Sequence, residues 1–392
     1  MRKLIYMGLE SYEARYTLQL QDWNERVFKR RGIDYELVTG AELTTDKKIV
    51  TGSVLDAHGR TYYSMMQTAN LIKMMKEGKI TSDDVIFYED MFTPGIESLP
   101  YILDQVPAEY RPRVYVRCLA QSIDPDDFVN REGMANWMRK FEQMVDEFVD
   151  GILVASEEMV AHLRIAGMKA PIYVTGLPFG KGEVLERVPL QMPLVNRTKR
   201  VGFAARWDDE KQPNFYMDLA ERFYKTHPLV EFAVFCGHPE LKSNNPAYVE
   251  RAKALENSKN ANFKVYTGLK KNDYYRLLAD SVVLFNCALQ DWVSNTVSEA
   301  DTFGTLTLYP AYRSFPEVFA NNAKNMYIPW SVEDAADRLE NMFLKPTTYE
   351  TGMISHWQNG TIDRTVDVFE GKGEQWARNG NDYRKYVSVA KF

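Results

Sequence analysis

Short apolar runs alternate along this chain with longer stretches whose apolar residues recur at helical spacing, the pattern of parallel α/β units. In the first half, KLIYM (3–7), YELV (35–38), VIFY (85–88), RVYV (113–116), GILVA (151–155) and IYVT (172–175) predict strands. Between them, the stretch from Glu13 to Arg31, closed by Gly32 as a C-cap, and the stretch 131–149 predict helices. The alternation pauses at 186–199, ERVPLQMPLVNRTK, where two prolines and mixed polarity predict a linker. It restarts with RVGFAA (200–205), VEFAVFC (230–236), KVYTG (264–268), SVVLFN (281–286) and TLTLY (305–309) as strands. From about 345 the pattern changes to Trp357, Trp376, glycine, asparagine and charge, ending in DYRKYVSVAKF, and a terminal helix or two is expected.

The expected fold class is therefore α/β, with two Rossmann-like domains facing across a cleft. The N-terminal one spans 1–190 and the C-terminal one 198–345, with 346–392 as a helical tail docked on the body. In folds of this kind ligands sit at the carboxyl ends of strands.

Composition narrows the function classes. The 392 residues suit two cores, and 45% hydrophobic with 26% charged residues are ordinary for a globular chain. A net charge of -6 does not advertise a nucleic-acid binder; Lys29-Arg30-Arg31, Arg197 to Arg200 and Lys270-Lys271 are local basic patches or solvated faces. Cys118, Cys236 and Cys287 are widely spaced and predict buried free thiols in a reducing compartment. No apolar run reaches membrane-spanning length and the N-terminus lacks a signal-peptide core, so a cytoplasmic location is expected.

The segment 291–304, DWVSNTVSEADTFG, follows an apolar run and carries the most chemistry. Asp291 and Glu299 lie eight positions apart around a predicted helix start, where Ser294, Asn295 and Thr296 offer capping chemistry and free backbone N–H groups. A helix N-terminus binds anions, and nearby carboxylates accept from sugar hydroxyls, which together suit a nucleotide sugar. Glu299 also fits a capping box, Thr296-Val-Ser-Glu299, and both readings stay open. After the strand VGFAA, Arg206 and Lys211 converge on a helix opened by Pro213; they form a diphosphate clamp or a pair of solvated loop charges.

These features, in this order, resemble the donor half of retaining GT-B glycosyltransferases, in particular the large family 4. The carriers are Gly202, Arg206 and Lys211, then FCGHPEL, YTGLKKNDYYRLLADS, Asp291-x7-Glu299 and ADTFGTLTLYPAYRSFPEVF, about half the chain. The resemblance implies that Arg206 and Lys211 neutralise a leaving diphosphate and that Asp291 binds a donor-sugar hydroxyl. It gives Glu299 the ribose, the amides of Ser294, Asn295 and Thr296 the distal phosphate, and Tyr266 a place beside the base. Asp291 stands where the pattern has glutamate, which leaves the sugar open. Retention without a metal or other cofactor is implied, with a nucleoside diphosphate sugar, UDP-sugar favoured, as co-substrate.

In the first half, the opening strand ends at Gly8, and Glu10, Tyr12, Glu13 and Arg15 follow on the cleft side. This opening, with RRGIDYELV, resembles phage enzymes that glucosylate hydroxymethylcytosine in DNA, although Gln19 replaces their helix glutamate. The acceptor is thus expected to be DNA carrying a modified base, or a glycan or lipid. GSVLDAHGRTYYS gathers Asp56, His58 and Arg60, and FYEDMFTPGIE puts Glu89 and Asp90 at a strand end, where a carboxylate can position an acceptor hydroxyl or take its proton. Gln121 and Ser122, past RVYVR, are further acceptor-side candidates. Asp124-Pro-Asp126 spells the metal-binding Asp-x-Asp of GT-A enzymes, but a helix-start cluster around Asp127 is the preferred reading. A nucleotide-sugar sensor without transfer chemistry is the alternative from another class.

Overall fold

The computed structural model describes residues 1–10, 16–43, 57–319 and 322–375. The chain divides into two compact units, Met1–Pro178 together with the segment from Gly360 on, and Phe179–Asn359. Tyr12, Glu13, Arg15, Asp56 and Trp376 lie outside the described residues.

The first unit is built on β1 (Leu4–Met7), β2 (Tyr35–Leu37), β3 (Val85–Tyr88), β4 (Arg113–Arg117), β5 (Gly151–Val154) and β6 (Ile172–Val174). All six pair in parallel in the order β2-β1-β3-β4-β5-β6. Continuous apolar runs such as VIFY suit this sheet because helices cover both of its faces, and β1, β3 and β5 are buried at every position. The chain winds outward from β1 to β2, then returns to place β3 on the other side of β1. That reversal makes a switch point between β1 and β3, the place where open α/β sheets leave a crevice.

The second unit holds β7 (Thr198–Phe203), β8 (Glu231–Phe235), β9 (Phe263–Tyr266), β10 (Ser281–Phe285), β11 (Leu306–Pro310) and β12 (Met326–Tyr327). Its order is β12-β11-β10-β7-β8-β9, again parallel, with the switch point between β7 and β10. Its core gathers Phe203, Trp207, Phe215, Tyr216, Phe232 and Phe285 around the helix Pro213–Tyr224.

The predicted strands all form, with ends that coincide or shift by at most two residues; the two-residue β12 carries too short an apolar run to be predicted. The unit boundary falls before the predicted linker. Residues 186–199 belong to the second unit, where they contain the end of a helix (Lys181–Glu186), a 3-10 turn (Leu194–Asn196) and the start of β7. The tail is divided: the helix Met353–Asn359 belongs to the second unit, and the helix Thr361–Phe369 to the first. There Arg31 reaches Asp367 at 2.8 Å and Glu370 at 3.0 Å, while Arg117 donates to Thr365 at 3.1 Å. Cys118 and Cys287 are buried free thiols and Cys236 is half-buried. Among the described residues no helix is long and apolar enough to cross a membrane.

Candidate functional site

Both switch points carry charged side chains. In the second unit, β7 exits through Arg206 into a 3-10 turn, Asp209–Lys211, and Gln212 then adopts a left-handed conformation (φ 54°) before Pro213 opens the next helix. This turn aims Lys211 back over the sheet edge. Its Nζ donates to the carbonyl of Gln290 at 2.6 Å and stands 3.9 Å from Asp291 Oδ2 and 3.8 Å from Glu210 Oε1. Arg206 pairs with the same Glu210, which is buried, while the arginine itself is mostly exposed. The structure thus brings Arg206, Lys211 and Asp291 together around Glu210.

The loop after β10 is held from both sides by its backbone. Leu289 N–H donates to the carbonyl of Glu210 at 2.7 Å, and Ser314 Oγ donates to the carbonyl of Trp292 at 3.2 Å. Arg313, in a left-handed conformation (φ 51°), lays its guanidinium 5.0 Å from the centre of the Trp292 ring. Two left-handed non-glycine residues beside one loop are the kind of backbone strain that collects at functional sites. Glu210 and Arg313 escaped the sequence reading. An acid between two cations was the available signal for the first; the type of residue gives none for the second.

Ser294 caps the helix Asn295–Thr302, its Oγ accepting from Val297 N–H at 3.4 Å. The backbone N–H groups of Asn295 and Thr296 have no acceptor among the described residues and are left open at this helix start. Because Ser294 is the cap, Thr296-x-x-Glu299 is not a capping box. Glu299 is buried and accepts from Lys271 Nζ at 2.8 Å, Tyr275 OH at 2.9 Å and Tyr274 OH at 2.7 Å. Burial, with Glu299 close by, raises the Tyr274 phenol well above its ordinary range and keeps it a donor.

Two donor-side expectations meet a different structure. The Tyr266 hydroxyl turns back along the sheet to Glu231 Oε1 at 3.1 Å, at the start of β8, with the Arg200 guanidinium over its ring; it does not join the strand-end cluster. A Cβ on Gly202 would stand 2.7 Å from Phe235 Cε2, so the glycine makes room for a core ring.

At the β1–β3 switch point of the first unit, Arg60 joins two carboxylates. Its Nη1 lies 3.2 Å from each oxygen of Glu10, and its Nη2 is 2.5 Å from Asp90 Oδ2 and 2.9 Å from the carbonyl of Phe92. Burial works against the charge of Arg60, and the Asp90 and Glu10 carboxylates outweigh it. Burial also pushes Asp90 above the usual carboxylate range, although Arg60 pulls the other way. Gly8 accepts from Gln67 Nε2 at 2.8 Å through its carbonyl, and a Cβ there would stand 3.2 Å from Leu37 Cδ1.

The remaining first-half candidates stand apart from this trio. His58 is exposed in the first turn of the helix Ala57–Lys76. Gln121 is fully buried, its Nε2 donating to the Met159 carbonyl at 3.1 Å and its N–H to Asp127 at 3.1 Å, so it braces a loop and is not open to an acceptor. Ser122 is likewise buried on Glu142, and Glu89 is enclosed with Arg117 at 2.7 Å. Asp127 caps the helix Phe128–Arg131, as a helix-start cluster requires, and Asp124 is buried just before it. Among the described residues no group of three or more His, Cys, Asp and Glu side chains is arranged to hold a metal ion.

No protein-family model matches the sequence, and no curated protein matches it in sequence. Solved structures do match in fold. Sucrose-phosphate synthase from Thermosynechococcus elongatus superposes with a TM-score of 0.64 at 11% identity, covering 100% of both chains. A glycosyltransferase from Rickettsia africae gives 0.64 at 9% identity over 95% of this chain and 98% of that one. Anabaena HepE, solved with UDP and glucose, gives 0.57 at 11% identity over 100% of both. The chain has the GT-B fold of these proteins, with its two parallel six-stranded sheets.

Proposed function

We propose that this protein transfers a glycosyl group from a nucleoside diphosphate sugar to an acceptor hydroxyl. The observation that carries the reading is the cluster of Arg206, Glu210, Lys211 and Asp291 at the β7–β10 switch point, beside a helix end with two amides unpaired among the described residues. Lys211, held over the sheet edge, supplies positive charge where a departing diphosphate gathers negative charge. Arg206 is the second cation, already tied to Glu210 and free to swing outward from its exposed position. The amides of Asn295 and Thr296 take the distal phosphate. Asp291 accepts from a sugar hydroxyl, and Glu299, whose Oε2 accepts only from Tyr274 among the described residues, has lone pairs left for a ribose.

UDP-sugars are the first donors to try, since HepE was solved with UDP and glucose. Retention of configuration and independence of metal follow from the family 4 resemblance and belong to the same proposal. The test is release of nucleoside diphosphate from a panel of UDP-, GDP- and ADP-sugars in EDTA, with saccharides, lipids and hydroxymethylcytosine DNA as acceptors. Release that Lys211→Ala abolishes supports transfer. Tight nucleotide binding without release from any donor points to a sensor.

A further inference from the structure

The β1–β3 switch point holds an aromatic surface that the donor-side chemistry leaves unused. Trp137, on the helix Ala135–Asp146, is 46% exposed, a large apolar area to leave in water. It is nevertheless fixed from beneath. Its ring packs on Phe92 with centroids 5.4 Å apart, and Phe141 meets the same Phe92 edge-on at 5.4 Å. Phe92 in turn lies within 6.0 Å of the Arg60 guanidinium, and its N–H donates to Asp90 Oδ1 at 3.0 Å. An exposed indole and a strand-end carboxylate therefore share one support, Phe92.

Glu10, Asp90 and Arg60 form a compact ion cluster at the strand end, and Arg139 and Lys140 follow Trp137 on its own helix, so the ring face and the carboxylate, not net charge, set the ligand chemistry here. Asp90 keeps a partly exposed carboxylate able to accept from a hydroxyl. Arg60 is buried, and its Nε–H, itself shut off from solvent, has no acceptor among the described residues, so Arg60 serves to hold Asp90 in place. A flat apolar ring face near a carboxylate that accepts from hydroxyls matches a molecule with an apolar C–H face and hydroxyls at its rim.

We infer that Trp137, Phe92, Asp90 and Arg60 form the acceptor subsite and that it takes a neutral saccharide. This rests on the glycosyl-transfer reading for its role, but saccharide binding is measurable without any donor. The experiment titrates the intact protein with neutral hexoses, N-acetylhexosamines and disaccharides by calorimetry, comparing wild type with Trp137→Ala and Trp137→Phe. Thermal melts show that each variant is folded. The expected result is binding by wild type, a loss of about tenfold or more in Trp137→Ala, and recovery of most of it in Trp137→Phe. In turnover assays the same loss falls on the acceptor KM and not on kcat.

No saccharide binding by wild type overturns the inference, as does equal binding by a folded Trp137→Ala protein. Binding of hydroxymethylcytosine DNA in place of saccharides overturns the ligand class. Trp137-dependent saccharide binding in a protein that turns over no donor upholds the subsite and sinks the transferase reading instead.

Discussion

Lys211 Nζ donates to the Gln290 carbonyl at 2.6 Å, so one side chain ties the loop leaving β7 to the loop leaving β10 across the switch point. The same ammonium stands 3.9 Å from Asp291 and 3.8 Å from Glu210, the carboxylate that also pairs with Arg206. Lys211→Ala removes both the tie and the charge. Turnover of the preferred nucleotide sugar is expected to fall by about 10²–10³-fold, the loss typical of one electrostatic donor at a transition state. Lys211→Arg keeps the charge but not the compact ammonium that reaches Gln290, and should recover part of the rate. Steady-state release of nucleoside diphosphate measures both, and an Ala variant as fast as wild type would remove Lys211 from the chemistry.

Glu299 bears on stability as well as on binding. Its carboxylate is the acceptor for one buried phenol, one half-buried phenol and one lysine. Glu299→Ala leaves the Tyr274 and Tyr275 hydroxyls without this acceptor, and unfolding of the second unit should become easier by about 2–4 kcal/mol. Glu299→Gln retains one acceptor oxygen and should lose less. Urea unfolding followed by tyrosine fluorescence orders the three proteins; an Ala variant as stable as wild type means the hydroxyls find other partners.

The two α/β series could be read from the sequence because parallel strands buried on both faces write themselves as unbroken apolar runs, as VIFY and SVVLF do. The strand-end positions of Arg206, Lys211, Asp291 and Asp90 followed from the same runs, since residues just past a strand must lie at its carboxyl edge. Side-chain direction was another matter. Tyr266 sits at a strand end but leans back to Glu231, which only the neighbouring strand's register reveals. Gln121 reads as a loop residue, and its burial on Met159 comes from a helix 38 residues away. The return of the Thr361–Phe369 helix to the first unit depends on Arg31 meeting Asp367 and Glu370, pairs more than 330 residues apart that leave no periodic trace.

Gly202 separates two explanations of one glycine. If it serves the packing of Phe235, Gly202→Ala forces a Cβ to within 2.7 Å of that ring and should cost about 1–3 kcal/mol of stability. Pairing it with Phe235→Leu opens space and should return much of that loss. If the glycine instead admits a ligand, the double variant would regain stability while its affinity for UDP stayed low. Thermal melts and UDP titration on the same three proteins decide between packing and binding, and the expected outcome is recovery of most of the stability together with the affinity for UDP.

Glu142 gives the first unit a pH dependence whose sign can be worked out. Burial raises its carboxyl above the ordinary 4.5, and the hydrogen bonds from Ser122, at 2.7 Å to its N–H and 2.5 Å to its hydroxyl, pull down without cancelling that effect. The folded protein therefore holds this proton to a higher pH than the unfolded chain does. Stability falls as pH rises from the ordinary value through the raised one, and the deficit then stays constant. Glu142→Gln cannot ionise, yet its amide oxygen can accept the Ser122 N–H and its NH₂ can meet the hydroxyl. The variant should match wild type at about pH 4, become the more stable of the two as pH rises through the raised value, and keep that advantage above it, as judged by urea midpoints. A difference that shrinks with rising pH would mean that the carboxylate is better stabilised in the fold than in water, and that its hydrogen bonds outweigh its burial.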